Sequence, residues 1–352
     1  MILESTDITH LDFPLCDECR ARLSYDVKPT PSQQCFICRG MMEQIDEMTY
    51  VIVERMASYE FETFTVGATL KPSILDRDDY IRSKFRAKGT RSVKTSLTTQ
   101  LADNICKRTK KKLDRTNPDI TVLMDTRFGS CEIRSRQILI QAQYTKNCRG
   151  IPQKDTTYDR HVSPRNSGCD IYSIYGIFQQ YLRNVIRGTD FCFVWCGGED
   201  ATSRVLGEGR RFYVRVKNPQ RRRISHMPET KDVQFHNIRI ISSMPARMPT
   251  MRSEIRMVVR FPEDTPVSLR SLHHMDKTVH VRDQAGKVSI KKIHSIHYRR
   301  ISHASLQVVI DVEGGIPVKR FVSGCDVWPS VSSTLQVKCE CWRFDFLDIK
   351  YY

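Results

Sequence analysis

Apolar residues recur at helical spacing in two segments of the chain. In the first segment they stand four residues apart, at Val93, Leu97, Leu101 and Ile105. In the second segment they are Ile171, Ile174, Tyr175, Phe178 and Leu182. Because residues three or four positions apart share one face of an α-helix, the sequence predicts an amphipathic helix in each segment. Asn117-Pro118-Asp119 is expected to stop the first helix.

Short runs rich in β-branched and aromatic residues predict strands. These runs are 120–124, 138–140, 191–195, 212–216, 255–259, 306–312 and 337–346. Turns are predicted between strands of the second half at Gly207-Glu208-Gly209 and Gly314-Gly315. Strands joined in this way, with few helices, favour a mainly antiparallel sheet in an α+β domain. The mixed order before residue 153 favours a smaller α/β or α+β domain, and the polar stretch 153–168 predicts a linker.

Composition is that of an ordinary globular protein. The chain has 352 residues, of which 40% are hydrophobic and 27% charged, enough for two or three domains. No apolar run approaches the roughly 18–20 residues that cross a bilayer, and residues 1–7 do not resemble a signal peptide. With thirteen cysteines spread along such a chain, we expect reduced thiols in the cytoplasm or nucleus.

Positive charge is in excess and clustered. Lys and Arg number 56 against 40 Asp and Glu, which gives a net charge of +16. Between Arg82 and Arg115 there are twelve basic and two acidic residues, and between Arg204 and Arg223 eight and one. Clustered positive charge binds a polyanion by releasing its counterions, so nucleic acid is the favoured partner. A solvated basic surface is the alternative.

Four cysteines form two C-x-x-C pairs. They are Cys16 with Cys19 and Cys35 with Cys38, and fifteen residues separate the pairs. This spacing lets four thiolates surround one tetrahedral zinc ion, whose role would be structural because no position stays open. An iron–sulfur cluster and four free or buried thiols are the alternatives. The other nine cysteines show no second quartet.

An acidic pair ends a glycine turn after a predicted strand, in the sequence Trp195-Cys196-Gly197-Gly198-Glu199-Asp200. An aspartate on a loop is most often a turn former. Here Arg204, Arg210 and Arg211 follow, and basic neighbours keep a carboxylate ionised and attract phosphate. An ionised aspartate can serve as a nucleophile or general base. The sequence has no P-loop, no strand–GxGxxG–helix and no HExxH motif.

Several short motifs occur in an order and at spacings that are specific when taken together. After the four cysteines come Val66-Gly67-Ala68-Thr69-Leu70, Ile74-Leu75-Asp76-Arg77-Asp78-Asp79, Asn117-Pro118-Asp119-Ile120, Arg149-Gly150-Ile151-Pro152-Gln153 and the turn ending at Asp200. Further on, the chain has Gly207-Glu208-Gly209-Arg210, Glu313-Gly314-Gly315, Val318-Lys319, Ser323-Gly324 and Pro329-Ser330-Val331-Ser332-Ser333. Over most of its length the chain resembles the archaeal and eukaryotic tRNA pseudouridine synthases that carry an N-terminal zinc module and a THUMP-containing accessory domain.

The resemblance implies a fold and an activity. The fold is α+β: a zinc-binding module at 1–52, a THUMP-containing tRNA-binding domain at 53–155, and a mainly antiparallel-sheet pseudouridine synthase catalytic domain at 156–352. The activity is isomerisation of uridine to pseudouridine in the T-loop of tRNA (positions 54/55), without an organic cofactor. The expected partner is tRNA, with no membrane and no small-molecule cosubstrate, and nothing demands more than a monomer.

The resemblance also implies roles for individual residues. Asp200 matches the catalytic aspartate, and Lys319 matches the basic residue that pairs with it. Val318 matches an apolar residue beside the base, and Arg204 matches an arginine with a phosphate-binding or structural role. Their charge makes further residues candidates for RNA binding: Arg210, Arg211, Lys107, Lys110, Lys111 and Lys112.

The chain departs from the family pattern at four positions. The family has Arg at the place of Gly198 and a second Asp at that of Thr202, and an expected Tyr aligns with Ile255. Pro317 replaces a common aromatic residue. A tRNA-binding or tRNA-folding protein that keeps the fold without the chemistry is therefore the alternative function. A THUMP-type methyltransferase or thiolase is disfavoured, because no cofactor-binding glycine loop follows the accessory domain.

Overall fold

The computed structural model describes residues 13–23, 28–84, 91–154, 173–224, 230–263 and 266–352. They form two compact units. Unit 1 runs to Gln137 and includes Lys217–Arg222, and unit 2 comprises Ile138–Val216 and Arg223–Tyr352. Each unit contains both helices and a sheet, which confirms the predicted α+β class. In the described part of the chain, no helix has the length and apolar character needed to span a membrane.

Unit 1 is a four-stranded sheet with helices. Its elements are α1 (Asp17–Leu23), two short 3-10 helices (Ser32–Gln34 and Met41–Gln44), α2 (Ile45–Met56), β1 (Thr63–Thr69), α3 (Pro72–Lys84), α4 (Val93–Thr109), β2 (Lys112–Leu113), β3 (Ile120–Asp125) and β4 (Ser130–Ser135). The strand order is β2-β1-β3-β4, with β1 parallel to both neighbours and β4 antiparallel to β3. The strand expected at 120–124 is confirmed as β3.

The first predicted helix is α4. Its apolar stripe is completely buried at Val93, Leu97, Leu101 and Ile105, and it belongs to the core of unit 1. The helix begins after Ser92, whose Oγ accepts a hydrogen bond from the backbone N–H of Thr95 at 3.1 Å. It ends earlier than predicted: Lys110 adopts a left-handed conformation with φ of +60°, and β2 precedes Asn117.

Unit 2 is built around one large sheet. Its elements are β5 (Ile138–Lys146), α5 (Ile174–Val185), β6 (Asp190–Trp195), β7 (Arg204–Lys217), β8 (Val233–Ile241), β9 (Met251–Arg260), α6 (Arg270–His273), β10 (Thr278–Arg282), β11 (Val288–Ser302), β12 (Ser305–Glu313), α7 (Val318–Ser323), β13 (Val327–Trp328), α8 (Val331–Leu335) and β14 (Glu340–Tyr351). The strand order is β13-β10-β11-β12-β9-β14-β7-β5-β8, and β6 pairs with β7. Along that order only β14 and β7 are parallel, as a mainly antiparallel sheet requires.

The compact units do not divide where the sequence placed its domain limits. The predicted middle domain ran from 53 to 155, whereas β5 pairs with β7 and β8 inside the sheet of unit 2. The chain also returns to unit 1 at Lys217–Arg222. The limit between 155 and 156, Ile171 and most of the linker at 153–168 lie outside the described residues. The three-domain division stays a prediction.

The glycines at 207 and 209 do not separate two strands as predicted, because both lie inside β7. Their φ values are +60° and +75°. A Cβ on Gly207 would come within 2.7 Å of the carbonyl oxygen of Leu347. Only glycine tolerates this backbone and this close approach. The pair therefore bends one strand, which pairs with β14 at its start and with β5 on both sides of the bend.

Candidate active site

The acidic turn lies on the loop between β6 and β7. The loop is closed by the main chain: the backbone N–H of Ser203 donates to the carbonyl oxygen of Asp200 at 3.0 Å, and its Oγ donates to the same atom at 2.8 Å. Gly197 has φ of +84°, and a Cβ there would come within 2.6 Å of the Arg210 guanidinium. The glycine is thus required for the turn that presents the aspartate.

Both carboxylate oxygens of Asp200 have partners. Lys319, the second residue of α7, places Nζ 2.5 Å from Oδ2. Thr202 donates to Oδ1 from its backbone N–H at 2.9 Å and from Oγ1 at 2.8 Å. The side chains remain accessible, with 26% of Asp200 and 58% of Lys319 exposed. The predicted pairing of these two residues is therefore present in the structure, and the pair is open to a ligand.

These partners set the charge of the carboxyl group. Burial raises the pKa of Asp200, but the hydrogen bonds from Lys319 and Thr202 lower it more, and the net pKa falls to about 2. The hydrogen bond with Asp200 raises the pKa of Lys319. Both groups are therefore charged at neutral pH, the carboxylate as a potential nucleophile or base.

The pair opens into a cavity of about 500 Å³ within unit 2. One part of its wall is apolar and comes from β9, β12, β14, the loop after β12 and the start of α7: Ile255, Val312, Ile316, Val318, Phe344 and Phe346. The loop contributes Gly197, Gly198, Glu199 and Asp200. This volume lies in the range of small-ligand sites, and the combination of an apolar wall with a few charged groups suits a nucleobase and its ribose. Val318 is buried in that wall, and its predicted place beside the base stays a prediction.

Three of the four departures from the family pattern also line this cavity, and the fourth holds the carboxylate. Ile255 contributes apolar surface, Pro317 precedes α7, and Gly198 leaves open space where a side chain would project. Thr202 is the residue that hydrogen-bonds Asp200. The departures change what faces a ligand without removing the Asp200–Lys319 pair.

A buried ionic network, which the sequence did not predict, supports the loop. Oε1 of Glu199 lies 3.0 Å from Nζ of Lys146, and Oε2 lies 3.3 Å from Nε of Arg210. All three side chains are at most 1% exposed. Lys146 Nζ also donates to the carbonyl oxygens of Ile151 at 2.7 Å and of Asp200 at 3.3 Å. The network therefore holds the main chain of the acidic turn directly.

Two further residues of β5 and the following loop complete this network. Gln153 donates from Nε2 to the hydroxyl of Tyr144 at 3.1 Å and to the carbonyl oxygen of Gly197 at 3.2 Å. Burial and then the charge of Glu199 raise the pKa of Tyr144 well above its ordinary value, so the phenol is neutral. The sequence carried one signal for this cluster: Tyr144 and Lys146 are two apart on a strand and so point to the same buried face.

The three arginines after the turn have different surroundings. Arg210 is buried, pairs with Glu199, and places its guanidinium 4.5 Å from the ring centre of Phe346. These partners differ from the RNA phosphate that the sequence predicted for Arg210. Arg211 is half-buried with its guanidinium 4.3 Å from the ring centre of Tyr351. Arg204 is exposed, as an RNA contact requires.

The predicted basic cluster at the end of α4 belongs to unit 1. Lys107, Lys110 and Lys112 are exposed. Lys111 is half-buried, with Nζ 3.1 Å from Oε1 of Glu62. Three of the four lysines thus offer their charge to solvent, where a phosphate backbone can reach them.

The four predicted metal ligands come together in unit 1. The Sγ atoms of Cys16, Cys19, Cys35 and Cys38 all lie within 4.8 Å of one another, and all four residues are buried. The Sγ atoms of Cys16 and Cys38 are 3.6 Å apart. Tetrahedral zinc with Zn–S bonds of about 2.3 Å requires sulfurs about 3.8 Å apart. The cluster therefore fits a metal ion of this size, and it offers a cysteine sulfur at all four positions.

In comparisons with known proteins, segments of both units match models of the same protein family. Residues 49–125 match the family model described as the Pus10 THUMP domain, archaeal, and residues 139–255 match that described as Pus10, C-terminal. The chain is 32% identical over 362 residues to a protein of Nitrosopumilus maritimus named tRNA pseudouridine synthase Pus10, covering 96% of this chain and 95% of that protein. A protein of the same name from Cenarchaeum symbiosum is 30% identical over 365 residues, covering 96% and 90%.

Proposed function

Because the chain belongs to the Pus10 family of tRNA pseudouridine synthases, we propose that it converts uridine in the T-loop of tRNA to pseudouridine, with Asp200 as the catalytic residue. One observation carries the choice of residue. Asp200 is ionised, lies 2.5 Å from Lys319 Nζ, and lines a cavity of the size that a nucleoside needs. An anion in that position can act on the ribose of a bound nucleotide.

The reaction is an isomerisation, so atoms and electrons balance within the nucleotide. The bond between uracil N1 and ribose C1′ breaks, the base rotates, and a bond between C5 and C1′ forms; C5 loses a proton and N1 gains one. Asp200 attacks the sugar or assists departure of the base, while Lys319 keeps the carboxylate negative. The apolar side chains of Ile255, Val318 and Phe346 exclude water while the base is detached.

Charge and accessibility support tRNA as the substrate. A uridine must leave its stack before its glycosidic bond can enter a cavity, and the protein must hold the flanking backbone meanwhile. Arg204 is exposed at the end of the catalytic loop, and Lys107, Lys110 and Lys112 are exposed on unit 1. We expect these residues to contact backbone phosphates, so binding should weaken as salt increases.

The cysteine cluster of unit 1 is proposed to hold one structural zinc ion. Cys16, Cys19, Cys35 and Cys38 would be its ligands, and with four thiolates the ion would contribute folding energy and no chemistry. Metal analysis of the purified protein should give one zinc per chain. The variant Cys38→Ser should lose the metal and melt at a lower temperature. The matched control Cys325→Ser, at an exposed thiol, should keep the metal and the melting temperature of the wild type. Iron in place of zinc would overturn the assignment.

The alternative is a tRNA-binding or tRNA-folding protein without catalysis, favoured by Gly198, Thr202 and Ile255. Incubation of the purified protein with an unmodified tRNA transcript, followed by mapping of pseudouridine, distinguishes the two. The proposed function requires pseudouridine in the T-loop after incubation and none in a sample without protein. Tight binding of the transcript with no pseudouridine at any position would instead support the alternative.

A further inference from the structure

A second cavity in unit 2, of about 270 Å³, is lined mainly by arginine. Its charged residues are Arg149, Arg204, Arg256, Arg343 and Asp345. Four positive charges thus surround one negative charge. The remaining lining is Val258, Gln307 and Phe344. We call this cavity the arginine pocket; neither the catalytic chemistry nor the cysteine cluster uses it.

Most residues of the arginine pocket lie on the face of the sheet opposite to the catalytic cavity, and Phe344 lines both. Successive side chains of a strand point to opposite faces. On β9, Ile255 lines the catalytic cavity and Arg256 lines the arginine pocket. On β14, Phe346 and Asp345 are divided in the same way. A group bound in this pocket therefore contacts residues different from those of the catalytic cavity, apart from Phe344.

Part of this positive charge pairs with the buried carboxylate of Asp345. Oδ1 of Asp345 lies 2.6 Å from Arg149 Nη2, and Oδ2 lies 3.3 Å from Arg256 Nη2. The backbone N–H of Arg204 also donates to Oδ1 at 3.0 Å. Two guanidinium groups and one amide already satisfy this carboxylate, so the side chains of Arg204 and Arg343 are surplus to it.

These two surplus arginines are available to a ligand. Both side chains are exposed, and within the described ranges neither makes an ion pair. The Arg343 guanidinium lies 4.5 Å from the ring centre of Trp342, which orients it by a cation–π contact and leaves its N–H groups free to donate. Planar guanidinium groups bind phosphate oxygens in pairs, which makes arginine the preferred residue for phosphate recognition.

We propose that the arginine pocket binds a backbone phosphate of the RNA substrate, at a nucleotide other than the one that enters the catalytic cavity. The proposal rests on the proposed function for the identity of the RNA. Arg149 connects the pocket to the catalytic loop, because its Nη1 donates to the carbonyl oxygen of Thr202, whose own N–H and Oγ1 donate to Asp200. The RNA therefore contacts the protein immediately behind the loop as well as in front of it.

The test compares the dissociation constants of protein variants for an unmodified tRNA transcript. The double variant Arg204→Gln/Arg343→Gln removes the two surplus charges. We expect binding about tenfold weaker near 0.1 M salt, and a log Kd against log salt slope reduced by about 1, the value for one phosphate contact. The variant Arg204→Lys/Arg343→Lys keeps the charge and should retain the slope. Arg270→Gln removes an exposed charge from the same unit outside this pocket and should change the slope by less.

Two outcomes would overturn the proposal. One is a double glutamine variant whose Kd and salt slope equal those of Arg270→Gln. The other is stabilisation of the wild type by inorganic phosphate that the double variant lacks, with equal Kd values for the transcript, which would mean that the pocket takes a free anion. The Kd and the pseudouridine content of the transcript are separate measurements, so a wild type that binds but forms no pseudouridine would contradict the proposed function and not this proposal.

Discussion

Two adjacent carboxylates on the loop between β6 and β7 each pair with a lysine, yet their environments are opposite. The Glu199–Lys146 pair is completely buried, whereas Asp200 and Lys319 keep a substantial part of their side chains in solvent. A buried charge that loses its partner is costly, so the first pair fixes a single arrangement of the loop. A partly exposed pair separates at low cost and can yield to a substrate. Burial, more than residue type, distinguishes the supporting acid Glu199 from Asp200, the acid proposed to react.

The largest effect on stability is expected for Glu199→Gln, which removes the charge of the buried carboxylate. It leaves Lys146 and Arg210 buried without their counter-charge, and loss of one partner of a buried pair costs about 3–5 kcal/mol. Urea denaturation should show this loss in the free energy of unfolding. The matched variant Glu340→Gln, at an exposed site of unit 2, should change it by less than about 0.5 kcal/mol. Equal values for the two variants would show that the network does not support the fold.

Lys319→Met tests the partly exposed Asp200–Lys319 pair through the pH dependence of the rate. Asp200 must be ionised to act, so activity is lost as pH falls through its pKa, which is about 2 in the wild type. Without the lysine the pKa rises toward the ordinary value of 3.8, and the acid limb of kcat/KM should move up by about 1–2 pH units. Lys338→Met, at another exposed lysine, should leave the limb in place. An unmoved limb in Lys319→Met would contradict the pairing.

A smaller effect is expected for Thr202→Val, which keeps the shape of the side chain and removes its Oγ1 hydrogen bond to Asp200. The backbone N–H of residue 202 still donates, so the carboxylate loses one of three partners. We expect kcat for pseudouridine formation to fall several-fold, in line with about 1 kcal/mol for one hydrogen bond. Thr202→Ser, which retains the hydroxyl, should restore the rate. A valine variant as fast as the serine variant would show that the Thr202 hydroxyl does not contribute to the reaction.

The smallest effect on stability is expected for Asp200→Asn. Because the Asp200–Lys319 pair is partly exposed, its loss should change the free energy of unfolding by about 1 kcal/mol or less. Urea denaturation beside Glu199→Gln measures the contrast between neighbouring residues directly. A destabilisation of Asp200→Asn as large as that of Glu199→Gln would erase the distinction between the two pairs.

The sequence predicted the elements whose burial pattern is regular. The stripe of α4 and the apolar runs of β6, β9 and β12 were found because one face of each lies in a core. β11 was not predicted, since most of its side chains are at least partly exposed and its composition is polar. The break between the units after Gln137 also escaped notice, because no change of composition marks it.

The site was only partly predictable. Asp200 and Lys319 could be paired through the family resemblance, and the structure brings them together. Arg204 and Arg210 could not be distinguished, because the bends at Gly207 and Gly209 interrupt the alternation by which a strand assigns side chains to its two faces. The network around Glu199 depends on contacts between residues far apart in sequence, and charge counts alone place such residues on the surface.

The central claim, that Asp200 carries out the isomerisation, is tested most directly by one measurement on its amide variant. Pseudouridine is mapped in an unmodified tRNA transcript after incubation with Asp200→Asn, and the Kd for the transcript is measured on the same preparation. Asp326→Asn, which removes an exposed ion-paired carboxylate of the same unit, is the matched control. We expect no pseudouridine from Asp200→Asn, with a Kd close to that of the wild type, and full activity from Asp326→Asn. Continued formation of pseudouridine by Asp200→Asn would contradict the account.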